Sequence, residues 1–183
     1  LIGVDAIPFT PFNSSIVKFK VKKPYEIAIK LVDWEENLGL GSEDNRGMKF
    51  HAGDGGFIAS FSDGTVTNGD WSAQTFYTSP IYDLTCLKED NQYRDSSSCF
   101  TGSTDDGEKA YAVHWPLPPN WESAQFDYRH WPKATVYSEA QIGVNNKKAY
   151  MNFREVFAGA GSTFIWSSNV VLDNQVLLKY QVR

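Results

Sequence analysis

The feature that most constrains this chain is the spacing of its apolar residues. They recur at every second position in short runs, and no stretch shows the i, i+3, i+4 recurrence of an amphipathic helix. Tyr25, Ile27, Ile29 and Leu31 fall on one face of an extended run. Ile16-Val17-Lys18-Phe19-Lys20-Val21 alternates in the same way and then meets Pro24. Further strand-like runs lie at 56–61, 71–81, 111–115, 134–137, 149–153, 163–166 and 176–182. Between them sit clusters of Gly, Pro, Asn and Asp, including Asp63-Gly64 at the centre of a tight turn. Residues 38–47 and 87–109 read as long polar loops. Many short strands at this spacing predict an all-β fold, a single β-sandwich of jelly-roll type. With 183 residues, one domain over 1–183 accounts for the whole chain. It begins and stops abruptly, so it reads as a mature chain or a fragment of a larger protein.

Composition excludes several function classes. At 42% hydrophobic residues the chain can build a core and is not a disordered segment. Its net charge of −5 argues against nucleic acid, whose affinity comes from Lys and Arg neutralising phosphates. Membrane insertion is not expected, because no apolar run is long enough to span a bilayer. Aromatic residues reach 15%, with six Trp and nine Tyr. That suits a β-rich core, and loop-borne rings among them suit stacking on sugars.

Cys86 and Cys99 flank a polar stretch without hydrophobic period. A polar loop is a poor place to bury free thiols, so a disulfide clipping a long loop around 86–99 is expected. A bond closing such a loop contributes about 2–3 kcal/mol. This implies an oxidising, extracellular setting. Asn13-Ser14-Ser15 is a glycosylation sequon and agrees with a secreted glycoprotein.

Two segments carry a family resemblance. Residues 55–71, Gly-Gly-Phe-Ile-Ala-Ser-Phe-Ser-Asp-Gly-Thr-Val-Thr-Asn-Gly-Asp-Trp, resemble a glycine, strand, Asp-Gly turn and Trp phrase. Residues 121–134 resemble a Trp…Phe-Asp-Asp-Ser-x-Trp-x-x-Ala signature, with Tyr128 and Arg129 in place of Asp-Ser. Both phrases are similar to the galactose-binding-like jelly-roll modules attached to glycoside hydrolases. Asn68 departs from the usual Asp. The resemblance implies that Phe126 and Trp131 are buried and that Asp127 holds a turn through backbone hydrogen bonds.

Candidate chemistry clusters at the acidic run Asp33-Trp34-Glu35-Glu36. Calcium takes six to eight oxygen ligands, so Asp33, Glu35, Glu36 and Asp54 are candidate metal ligands, with Glu43 and Asp44 nearby. A solvated acidic loop explains the same residues. Trp34, Tyr128 and Trp115 are the candidate ligand-binding rings, and Trp71 and Trp121 are expected to pack. Gly53-Asp54-Gly55-Gly56 lacks the Lys-Ser/Thr of a phosphate loop and reads as a turn requiring positive φ. His51, His114 and His130 form no zinc spacing. No nucleophile elbow is present.

Three readings stand open. The first is a non-catalytic extracellular module binding a glycan or cell-surface partner, with calcium as a stabilising ion. The second is a structural domain that self-assembles in an extracellular array or filament through an unpaired strand edge. The third is a jelly-roll enzyme with an acidic, calcium-shaped pocket. The residues favour a non-enzyme.

Overall fold

The alternating run at the start becomes β1 (Tyr25–Val32). It pairs antiparallel with β10 (Asp173–Val182), which pairs in turn with β4 (Ser72–Ile81), flanked by β7 (Tyr111–His114). The resulting four-stranded sheet has the order β1-β10-β4-β7. The structure, a computed structural model, describes residues 16–33, 42–45, 48–52, 55–102, 110–144, 157 and 159–183, with 42–45 and 48–52 described by backbone alone. The fold is all-β, as its alternation requires.

Register explains the core. Tyr25, Ile27, Ile29 and Leu31 lie opposite Val182, Tyr180, Leu178 and Val176, so one face of the sheet is apolar. Against it pack Trp71, Ala134, Tyr137, Ile142, Phe164, Ile165 and Trp166. Most of that cover comes from the two-stranded antiparallel sheet of β8 (Thr135–Tyr137) and β9 (Phe164–Trp166), joined by a bridge between Phe57 and Ile165. Each fully buried side chain such as Trp71, Ile165 or Leu178 contributes about 1.5–3 kcal/mol. Backbone bonds from Ala73 N to Pro132 O (2.9 Å) and from Ala134 N to Trp71 O (2.8 Å) stitch the two layers.

The two central strands, β4 and β10, are buried almost throughout. The sheet must therefore be covered on its second face as well. Phe76 and Leu177 point there, under Trp131.

Several expectations change. Residues 16–22 form no strand and are exposed, Ile16 at 88%. Alternation gives an amphipathic edge, but without a paired neighbour there is no strand. Residues 56–61 make bridges at Phe57 and Ser60 and no continuous ladder. Within 38–47, Ser42–Asn45 forms β2, paired with β3 (Met48–Ala52). The polar stretch after Cys86 is no open loop. It folds into a hairpin of β5 (Lys88–Asp90) and β6 (Tyr93–Asp95), with Asn91 at φ 54 in the turn. The C-terminal strand is not a free edge, because β10 is flanked by β1 and β4. A short helix, α1 (Glu139–Ile142), appears where none was expected, closed by a reciprocal capping box between Ser138 and Gln141. Residues 149–153 lie outside the described residues.

Local chemistry explains other details. The Asp63 carboxylate accepts from Thr65 N (3.1 Å), and Gly64 takes φ 90, as the Asp-Gly turn predicts. Gly55 is glycine for another reason: a Cβ there would sit 2.4 Å from Trp166 Cε2.

Candidate functional site

The disulfide Cys86–Cys99 is present. It closes the hairpin β5–β6, and the hairpin carries Glu89 and Arg94 to the second face of the sheet. The Arg94 guanidinium lies between two rings, 4.8 Å from the centroid of Phe76 and 4.7 Å from that of Trp115. Its Nη1 donates to Thr75 O (2.9 Å), and its Nε stands 3.6 Å from Glu89 Oε1. Trp115 Nε1 donates to Glu89 Oε2 (3.1 Å). Burial draws the Arg94 pKa down, opposed by the charge of Glu89; an arginine stays cationic under that pressure. Trp115 is thus fixed by a cation on its face and an acceptor at its edge while remaining half-exposed.

The segment 115–131 completes this face. It is a chain of turns: Ser123 N donates to Asn120 O, Phe126 N to Ser123 O, and Trp131 N to Tyr128 O. Asp127 Oδ1 accepts from Arg129 N (3.1 Å), which is the turn-holding role expected of it. The Arg129 guanidinium and backbone hold the Asp127 carboxyl well below the usual carboxylate range. Trp131 is buried at 6%, with Phe126 and Tyr128 tilted against it at 5.5 and 6.2 Å. Phe126 is only half-buried, a partial departure from expectation. Trp71 is fully buried, stacked on Tyr180 at 4.9 Å, and Trp121 packs at the edge of the second-face cluster.

Trp115 and Tyr128 therefore meet around one cluster of Phe76, Trp131 and Leu177. Tyr128 is half-buried rather than freely exposed, because its ring covers the Lys179 ammonium at 5.0 Å. Trp34, Glu35, Glu36, Asp54 and Asn13 lie outside the described residues. Asp33 follows β1, with its N–H donating to Asn174 O (2.8 Å). Among the described residues no three His, Cys, Asp or Glu side chains gather as a metal group. His114 stacks on Tyr77 at 4.1 Å, and His130 sits in the 129–130 turn.

A second polar node lies inside the molecule. Asp173 is 1% exposed. Its Oδ1 accepts from Thr78 Oγ1 (2.6 Å) and Ser96 Oγ (2.8 Å), and its Oδ2 from Ser167 Oγ (2.5 Å). Desolvation pushes its pKa up to about 6, against the lowering pull of these hydroxyls. Ser96 comes from the disulfide-clipped segment: Cys99 N donates to Ser96 O (2.9 Å), as does Asn169 Nδ2 (3.0 Å).

Sequence reasoning missed Arg94, Glu89 and Lys179. Lys179 carries a legible signal, a charged residue between Leu178 and Tyr180 in an otherwise apolar run, which must find partners if buried. Arg94 carries none, because a polar hairpin looks solvated until its packing is known.

No family model, curated protein or solved structure matches the chain. Among the described residues, no helix is long and apolar enough to cross a membrane.

Proposed function

We propose that this chain is a non-catalytic extracellular module of the jelly-roll sandwich type, akin to galactose-binding-like domains, that binds a glycan at the face built around Trp115 and Tyr128. The observation carrying this reading is the fixing of Trp115: Arg94 backs the indole, Glu89 holds its Nε1, and the ring stays half-exposed. A pyranose presents C–H groups from one side and hydroxyls around its rim. A rigid ring beside a carboxylate and a guanidinium matches both, and its preorganisation lowers the ordering cost of binding. The disulfide supports an oxidising compartment. Calcium, from the acidic run Asp33 to Glu36 together with Asp54, belongs to the proposal as a stabilising ion.

A glycan array probed with the full chain, with and without EDTA, tests this. Binding is expected, with at least a tenfold loss in Trp115→Ala and a smaller one in Tyr128→Phe. Silence under both conditions refutes the reading, and binding unchanged by EDTA removes calcium from it.

One observation favours self-assembly as a second reading. The outer strands β1 and β7 leave edges at which Val32 (46%) and Tyr111 (53%) are exposed. Light scattering on dilution separates the two, since a filament domain remains associated.

A further inference from the structure

The Lys179 side chain is 0% exposed and the Glu26 side chain 8% exposed. Register places Ala28 opposite Lys179 and Gln181 opposite Glu26, so the two side chains lie diagonally on one face of adjacent antiparallel strands. Lys179 Nζ abuts Glu26 Oε1 as an ion pair, yet Oε1 has no hydrogen-bond partner among the described residues. The N–H groups go elsewhere: Nζ donates to Ser123 O (2.8 Å) and to Trp121 O (3.0 Å). Two carbonyls thus take two N–H bonds and leave the remaining tetrahedral direction of the nitrogen for the carboxyl group. The rings of Phe126 (5.5 Å) and Tyr128 (5.0 Å) cover the nitrogen.

From this geometry we infer that Lys179 and Glu26 are the partners of an intramolecular isopeptide bond joining β1 to β10. A desolvated ion pair can neutralise by passing one proton from nitrogen to carboxylate. The amine lone pair then adds to Glu26 Cδ, and the tetrahedral centre collapses by breaking one C–O bond. The ammonium and carboxylate become a secondary amide, with one N–H retained. Two hydrogens from the nitrogen and one carboxyl oxygen leave as water. No oxidant or cofactor is needed. Once that proton has moved, the neutral amine is the nucleophile. Fixing both groups on paired strands supplies the effective concentration that free amine and acid lack in water. The amide N–H keeps one of the two carbonyl acceptors. The product ties the first strand of the sheet to its C-terminal strand and no longer buries charge.

The intact mass of the folded full chain decides this. A chain carrying the disulfide and the amide is lighter by one water than a chain carrying the disulfide alone. Peptide mapping should give a branched product linking the Glu26 and Lys179 peptides, with no cleavage by trypsin at Lys179. Glu26→Ala should restore the unbridged mass. Glu26→Gln should form the same amide by losing ammonia. A wild-type mass at the disulfide-only value, with ordinary tryptic cleavage after Lys179 in the unfolded chain, overturns the inference and leaves a structural ion pair. That outcome needs no variant to fold.

Discussion

Replacing Asp173 by Asn should abolish most of the pH dependence of stability between pH 5 and 8. Asp173 is fully buried, and its oxygens face hydroxyls of Thr78, Ser96 and Ser167. Its folded pKa stands at about 6, against an ordinary 3.8. Between those values the folded chain keeps a proton that the unfolded chain has released, so stability falls as pH rises through the window and is lowest above it. The interval is worth about 3 kcal/mol at roughly 1.4 kcal/mol per pH unit. About one pH unit of that interval, from 6 to 5, lies between pH 8 and pH 5 and is worth about 1.4 kcal/mol, so with a urea dependence of about 2 kcal/mol/M the midpoint should rise by roughly 0.7 M from pH 8 to pH 5. Asp63 and Asp127 act oppositely, being held below the usual range. Their support is present above ordinary carboxylate pKa values and is lost only in more acid solution, outside the comparison. Asp173→Asn removes the charge but keeps the shape and an acceptor, and the serine and threonine hydroxyls can turn to receive its N–H groups. Its urea midpoint should be nearly flat from pH 5 to 8. A wild-type midpoint that falls on acidification to pH 5, or a variant that keeps the wild-type slope, would refute the reasoning.

The remaining expectations concern packing. Cys86→Ser with Cys99→Ser should cost about 3 kcal/mol and speed amide exchange over 88–99 while the far-UV β signature survives; collapse of that signature would show that the core depends on the clip. Arg94→Ala should cost about 2 kcal/mol through the lost ring and carbonyl contacts and open Trp115 to acrylamide quenching, with Arg94→Lys recovering only part. Gly55→Ala should cost about 1–3 kcal/mol, because its Cβ meets the indole of Trp166, itself only 2% exposed; a neutral result in urea denaturation would mean that the ring can yield.

Much of the framework was legible. The alternation at Tyr25, Ile27, Ile29 and Leu31 is the inward face of β1, and the Asp63-Gly64 turn sits where its chemistry requires. Cys86 and Cys99 pair because a polar stretch between two cysteines leaves little else for them to do. The helix α1 carries a local signal too, since Ser138 followed by Gln141 is a capping signature. Trp115 and Tyr128 stand out in the sequence as rings beside loops, but the groups that fix them do not. Glu89 and Arg94 look like solvent residues in sequence, and only the docking of their hairpin on the sheet turns them inward.

By itself, then, the sequence determined that the chain is all-β, where most of its strands run and that its cysteines pair, because alternation, turn residues and loop composition are local properties that act over a few positions. Tertiary structure decided that β10 is an inner strand, that Lys179 and Asp173 are buried, and that the clipped hairpin reaches Trp115. Those depend on which faces meet across distant parts of the chain, and a buried charge reveals itself only by the partners that fold around it.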